Sequence, residues 1–159
     1  MKKALAMIEQ GHPAPALDLP TDNGGRVSLT ALKGKPAVVY FYPKDDTTGC
    51  TREAQDFTAL APDFAALAAT VIGVSKDTVK KHDRFKAKYD LAVVLASDED
   101  GAACEAWGVW VQKKLYGREY MGIERATFLV DADGRVARVW RNVKVAGHAA
   151  AALEAVKAL

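Results

Sequence analysis

The sequence predicts an α/β sandwich in which helices flank a mixed β-sheet, and three observations carry that reading. Apolar runs rich in β-branched residues alternate with segments whose apolar residues recur every three to four positions. The last two such runs are joined by the turn Asp131-Ala132-Asp133-Gly134, which makes them an antiparallel pair, whereas helices separate the earlier ones. The chain has 159 residues, 50% of them hydrophobic, enough for one core and one domain over residues 1–159.

Residues 11–20 carry Pro13, Pro15 and Pro20 and are predicted to be extended. Thr21-Asp22-Asn23-Gly24-Gly25 is a turn and Val27-Ser28-Leu29 a short strand, which together make an N-terminal hairpin. Residues 36–42 form an unbroken apolar run that suits a central strand covered on both faces, ended by Pro43. Helix follows from about Arg52, with Phe57, Leu60 and Phe64 on one face and Pro62 kinking or restarting it. Residues 71–74 are the next buried strand, 78–89 an amphipathic helix, 91–96 a strand and 100–107 a short helix with acidic residues at its start. The aromatic-rich stretch with Trp107, Trp110, Tyr116 and Tyr120 is read as core or loop packing, with room for one ring at a ligand mouth. Residues 126–130 and 135–140 are the final hairpin, and a helix over 147–159 closes the chain.

Net charge is +2 with both signs interspersed, so no broad basic field exists to hold nucleic acid or anionic lipid. The run Lys76, Lys80, Lys81, Arg84, Lys86 and Lys88 is interleaved with Asp77, Asp83 and Asp90 and reads as a solvated helix face. Met1 to Ile8 open like a signal peptide, but Glu9, Gln10 and Gly11 stop the apolar run too early, and export is not expected. Two cysteines make no disulfide framework; the chain reads as cytosolic, with reduced thiols.

The segment that carries chemistry runs from Tyr42 to Glu53, off the end of a buried strand and into a helix, the edge of an α/β sheet where ligands bind. With Thr47 as N-cap, Cys50 is the third helical residue, and its sulfur lies near unpaired N–H groups and the positive helix end; a one-residue shift would make Thr48 the cap. Such a position favours the nucleophilic thiolate. Competing patterns fail. Gly73-Val74-Ser75-Lys76-Asp77 lacks the second glycine of a nucleophile elbow, Lys33-Gly34-Lys35-Pro36 has Pro where a phosphate loop needs Ser or Thr, and His12, His82 and His148 lack metal-ligand spacing.

Pro43-x-x-x-Thr47-x-x-Cys50 resembles the peroxidatic motif of peroxiredoxins, and Phe41 to Ala54 resembles the bacterioferritin comigratory protein (PrxQ) branch. The likeness continues through Ser97-Asp98-Glu99-Asp100-Gly101, Trp107-Gly108-Val109-Trp110 and the segment from Arg125 to Asp131. It implies a thioredoxin-like fold and thiol-dependent reduction of hydrogen peroxide or organic hydroperoxides through a Cys50 sulfenic acid, with no metal, haem or flavin. It further implies that Thr47 contacts the peroxide, that Pro43 shields the thiolate, that Arg125 stabilises thiolate and leaving oxygen, and that Glu53 orients Arg125. A monomer is the oligomeric state it implies.

Many members of that branch carry a resolving cysteine five residues after the peroxidatic one, where this chain has Gln55; others place it in the next helix, and residues 78–89 contain none. Cys104, among Ala103, Ala106 and Trp107, suits packing. The expectation is a one-cysteine enzyme reduced by thioredoxin, glutaredoxin or a low-molecular-weight thiol. The competing readings are a thiol–disulfide exchange protein, against which the missing Cys-x-x-Cys counts, and a redox-sensing binding module.

Overall fold

The main sheet has five strands in the order β5 (Val94–Ser97), β4 (Thr70–Ser75), β3 (Ala37–Phe41), β8 (Ala126–Val130) and β9 (Val136–Trp140). In this computed structural model, which describes residues 8–159, β3, β4 and β5 run parallel while β8 and β9 are antiparallel additions. The signal-like opening falls almost wholly on residues 1–7, outside the described residues. Strand β3 is buried throughout, as its continuous apolar sequence requires of a central strand.

Alternation along β3 divides the core in two. Val38, Tyr40 and Tyr42 face one layer, with Cys50 and Phe57 of α1 (Thr48–Ala59), Phe64 of α2 (Ala61–Ala66), Phe85 of α3 (Val79–Tyr89) and Leu153 of α5 (His148–Lys157). Val39 and Phe41 face the other, with Trp107, Cys104 of α4 (Ala102–Ala106), and Leu17 and Val27 from the N-terminal hairpin of β1 (Asp18–Pro20) and β2 (Arg26–Ser28).

Local chemistry sets the boundaries. Pro62 lies in the first turn of α2, where its missing N–H costs no hydrogen bond, so the chain stops at Leu60 and restarts. Thr78 caps α3, its hydroxyl oxygen accepting from the Lys81 N–H at 3.1 Å. The strand predicted over 91–96 runs Val94–Ser97 instead. Asp90 takes a left-handed φ of 52° and the Leu91 N–H bonds Lys86 O at 3.1 Å, so 91–93 closes the helix before pairing begins.

The larger correction concerns the aromatic stretch, which forms an unpredicted hairpin of β6 (Trp110–Leu115) and β7 (Arg118–Ile123). Its turn is Tyr116-Gly117, both at positive φ (51° and 76°), the backbone of a two-residue primed turn. Trp107 is core, packed against Phe41 and Phe128 with ring centroids 5.6 and 5.0 Å away. Tyr116 is 96% exposed at the tip and Tyr120 is also exposed, so packing does not account for either. Among the described residues no helix is long and apolar enough to cross a membrane.

One glycine position is set by a neighbour's ring. Tyr40 pairs with Gly73 across the sheet, and a Cβ at Gly73 would meet the Tyr40 Cζ and hydroxyl oxygen at 2.7 Å. The ring is stacked on Phe57 at 4.7 Å and has no room to retreat. Gly73→Ala is expected to lower the unfolding free energy by about 1–3 kcal/mol, measured by denaturant titration, with Tyr40→Leu in the same chain relieving most of the loss.

Candidate active site

The loop 43–47 between β3 and α1 is fastened to the rest of the chain by polar contacts, buried at Asp45 and exposed at Asp46. The Asp45 N–H donates to Asp77 Oδ2 at 2.8 Å, and the Asp45 carboxylate accepts from the Tyr42 hydroxyl at 2.5 Å and meets His82 Nδ1 at 2.6 Å. His82 Nε2 lies 3.0 Å from Ala96 O, a pure acceptor, so that nitrogen carries a proton. Asp46, at a φ of 62°, accepts from Lys88 Nζ at 2.8 Å and the Tyr89 hydroxyl at 2.5 Å.

Helix α1 begins where that loop ends. Thr47 is the N-cap and Cys50 the third helical residue, as the sequence predicts. The first turn closes with Thr51 N–H to Thr47 O at 2.9 Å, so the N–H groups of Thr48, Gly49 and Cys50 have no helical carbonyl to bond. The Thr47 side chain does not cap them; its hydroxyl donates to Lys44 O at 2.9 Å. Pro43 is half-buried at the start of the loop and takes no part in these polar contacts.

Arg125 reaches this point through sheet register. Ala126 pairs with Phe41, so Arg125, one residue earlier, stands at the end of β3 from which the loop departs. Its Nη1 donates to Glu53 Oε1 at 2.6 Å and its Nη2 to Cys50 Sγ at 3.4 Å, across 75 residues of sequence. The guanidinium lies over Gly49, where a Cβ would stand 3.2 Å from Nη2. The structure thus joins Cys50, Glu53 and Arg125 directly, with Pro43 and Thr47 at the two ends of the loop that leads into α1.

Burial governs the electrostatics. Cys50 and Glu53 are each 1% exposed. Burial lifts the Glu53 carboxyl to about 7 although Arg125 pulls it down. Burial first, then negative charge on Glu53 and Cys50, push the Tyr40 hydroxyl well above its ordinary range. The Tyr40 hydroxyl and Glu53 Oε2 are both buried without a hydrogen-bond partner among the described residues. His148 bonds the Thr127 hydroxyl at 2.7 Å, and burial with the Arg125 charge pushes it down to about 4, so it is neutral at physiological pH. Among the described residues no three His, Cys, Asp or Glu side chains gather as metal ligands.

A buried thiol at a helix start thus lies under a guanidinium held by a buried carboxylate. Residues 10–139 match the AhpC/TSA family. The chain belongs to that family and is a peroxiredoxin. It is 51% identical over 150 residues to peroxiredoxin Bcp of Bacillus subtilis, covering 94% of this chain and 96% of the relative. It is 50% identical over 148 residues to peroxiredoxin Bcp of Xanthomonas campestris, covering 92% of each. Among solved structures, the bacterioferritin comigratory protein of Xanthomonas campestris, studied for alkyl peroxide reduction, superposes with a TM-score of 0.88 at 47% identity, covering 94% of this chain and 98% of that one. A cysteine-to-serine mutant of Xylella fastidiosa PrxQ gives 0.91 at 38% identity, covering 96% and 98%. The expected thioredoxin-like fold, mixed sheet and N-terminal hairpin are present, and the peroxiredoxin is an enzyme, a thiol-dependent peroxidase.

The second thiol of this peroxiredoxin is remote from the first. Cys104 is fully buried in the core layer on the other side of the sheet, and burial, followed by Asp98, pushes its thiol upward. The Asp98 carboxylate accepts from the Ala103 and Cys104 N–H groups at 3.0 and 2.8 Å and fixes that helix start. Sequence reasoning did not single out Gly49, Tyr40 or the Tyr42–Asp45–His82 group. The first has a local signal, a glycine beside the nucleophile; the others depend on partners distant in sequence.

Two outcomes follow from this geometry. Because folding raises the Glu53 carboxyl from 4.5 to about 7, its contribution to stability is present below about pH 4.5 and is lost as pH rises through 7. Unfolding free energies of the parent chain from denaturant titration are expected to fall across that window, by about 3 kcal/mol at most, and Glu53→Gln to flatten the fall. Gly49→Val leaves the helix in place but displaces Arg125 from the sulfur, so the stopped-flow rate of peroxide reduction is expected to drop by about 10²-fold with little change in melting temperature.

Proposed function

We propose that this peroxiredoxin works by a one-cysteine mechanism, with Cys50 as the peroxidatic nucleophile, Arg125 and Thr47 as its partners toward the peroxide, Pro43 shielding the sulfur and Glu53 positioning Arg125. The observation that supports it most is the Arg125 guanidinium held between the Glu53 carboxylate and the Cys50 sulfur. The thiolate attacks the terminal oxygen of the hydroperoxide; an S–O bond forms, the O–O bond breaks, and the departing oxygen takes a proton and leaves as water or an alcohol. Negative charge moves from sulfur to that oxygen during the step, so donors fixed along its path stabilise the transition state more than the ground state. Arg125 Nη2 and the free N–H groups at the start of α1 are such donors. The Thr47 hydroxyl has given its proton to Lys44 O, which leaves its lone pairs to accept the hydroperoxide O–H.

Hydrogen peroxide and small organic hydroperoxides are the proposed substrates, the latter in keeping with the Xanthomonas relative's alkyl peroxide reduction. The Cys50 sulfenic acid is then returned to thiol by an external reductant, thioredoxin, glutaredoxin or a low-molecular-weight thiol, because Cys104 lies across the sheet. We further infer that the chain acts as one domain, as a monomer, in the cytosol.

The test is intact mass after one equivalent of peroxide, without reductant, in the presence and absence of a sulfenic-acid trap, on the parent chain, Cys104→Ser and Cys50→Ser. A trapped adduct in the first two and none in the third is expected. A loss of two hydrogens in the parent chain alone, with no covalent dimer, would overturn the one-cysteine mechanism in favour of Cys104 as resolving residue.

A further inference from the structure

The β6–β7 hairpin brings to the site a cation that the reaction with peroxide leaves without a task. Register pairs Lys113 with Tyr120 and Val111 with Gly122, so Gly122 lies two rungs nearer the base of the hairpin on the same face as Lys113. The Lys113 side chain leans over that bare backbone: a Cβ at Gly122 would meet its Cδ at 3.2 Å and its Cε at 3.5 Å. It therefore runs toward the base, where the chain passes through Ile123 and Glu124 into Arg125. Tyr120 flanks the same slot, its Cε2 atom 3.4 Å from that Cβ position.

Lys113 is half-buried, and its ammonium forms no ion pair or hydrogen bond among the described residues. The carboxylate nearest in the chain path, that of Glu124, is already engaged. It accepts from Arg141 at 2.7 and 3.2 Å and from the Asn142 N–H at 2.8 Å. Burial, and next the like charge of Arg125, hold Lys113 below the usual lysine range, while Cys50 and Glu124 act in the opposite sense. A half-buried lysine that leans toward the stretch leading into Arg125, whose guanidinium touches Cys50, thus lacks a counter-charge.

Hydroperoxides are neutral and do not supply that counter-charge. The second half of the cycle does: a thiolate attacks the sulfenic sulfur, so negative charge must approach Cys50 while Arg125 remains paired with Glu53. We infer that Lys113 receives the anionic group of the reducing thiol, and that the enzyme thereby selects small thiols bearing a carboxylate. In the step, the incoming sulfur forms an S–S bond to Cys50 as the S–O bond breaks; hydroxide leaves and takes a proton from solvent to become water. The Cys50 sulfur is reduced and the thiol oxidised to a mixed disulfide, which a second thiolate of the same class resolves to free Cys50 and the small disulfide.

This inference rests on the external-thiol mechanism, and the test separates the two. Cys50 sulfenic acid is generated with hydrogen peroxide, and its reduction is timed with 3-mercaptopropionate, 2-mercaptoethanol and cysteamine, which carry a negative, no and a positive side charge, each rate corrected to thiolate concentration. The parent chain is expected to prefer the carboxylate thiol over cysteamine by about tenfold at low salt. Lys113→Gln is expected to abolish that preference, Lys113→Arg to restore it, and Gly122→Ala, which crowds the stem, to weaken it. The oxidation rate with hydrogen peroxide should stay within about twofold in Lys113→Gln, since one charge outside contact distance is worth little in a step whose substrate is neutral. A preference that survives in Lys113→Gln, or an equal slowing of oxidation and reduction, overturns the assignment of Lys113. Failure of all three thiols to reduce the sulfenic acid overturns the selection of small thiols, and failure of thioredoxin and glutaredoxin as well overturns the external-thiol mechanism itself.

Discussion

A sulfur and a carboxylate, both buried in the core and both negative when ionised, share one guanidinium, and much of the molecule is arranged around that constraint. Removing one partner of such a group would strand a buried charge, a loss far larger than a surface ion pair represents. Arg125 must therefore arrive at a fixed place from a distant part of the chain. The antiparallel pairing of β8 with β3 brings it there, because the Phe41–Ala126 rung sets Arg125 level with the point where the loop leaves the sheet. Gly49 then leaves the guanidinium room to lie against the helix start.

The supports on the two sides of the nucleophile differ in kind. Before Cys50, the loop is tied to α3 and β4 by hydrogen bonds from Asp45 and Asp46, mostly between side chains that are themselves buried or charged. After Cys50, α1 is held by apolar packing, with Ala54 and Phe57 against Tyr40 and the residues of α5. Directional bonds fix the loop, while non-directional burial anchors the helix. The site itself remains poor in compensation: Glu53 Oε2 and the Tyr40 hydroxyl are buried without partners among the described residues, a local cost carried by the surrounding fold.

The sequence makes the main sheet legible because its strands are either continuously apolar or joined by clear turn chemistry, as at Asp131-Ala132-Asp133-Gly134. Position three of α1 for Cys50 is legible for the same reason, since Thr47 and the helical spacing beyond it agree. The β6–β7 hairpin is not: its strands read Trp-Val-Gln-Lys-Lys-Leu and Arg-Glu-Tyr-Met-Gly-Ile, with no clean alternation, and few of their residues are buried. Its Tyr116-Gly117 turn also places a non-glycine at positive φ, against local preference. Arg125 and Glu53 are expected at the site through family likeness, and composition alone does not find them. Their meeting depends on strand register, which a linear pattern of residue types does not encode.

The separation of the two sulfurs by the sheet has a kinetic meaning. A peroxidase whose second thiol stands beside the first closes a disulfide at a rate set by its own folding motions, and the oxidised intermediate is short-lived whatever surrounds it. Here Cys50 and Cys104 belong to the core layers on opposite faces of the sheet, so under the proposed one-cysteine mechanism Cys104 does not limit the lifetime of the sulfenic acid. That lifetime becomes the outcome of a race in solution between thiols, which return the sulfur to its starting state, and further peroxide, which drives it to the irreversible sulfinic acid. The fraction of molecules surviving each turnover then tracks the ratio of reductant to oxidant around them, and a barrier built for packing also makes the enzyme a gauge of its surroundings.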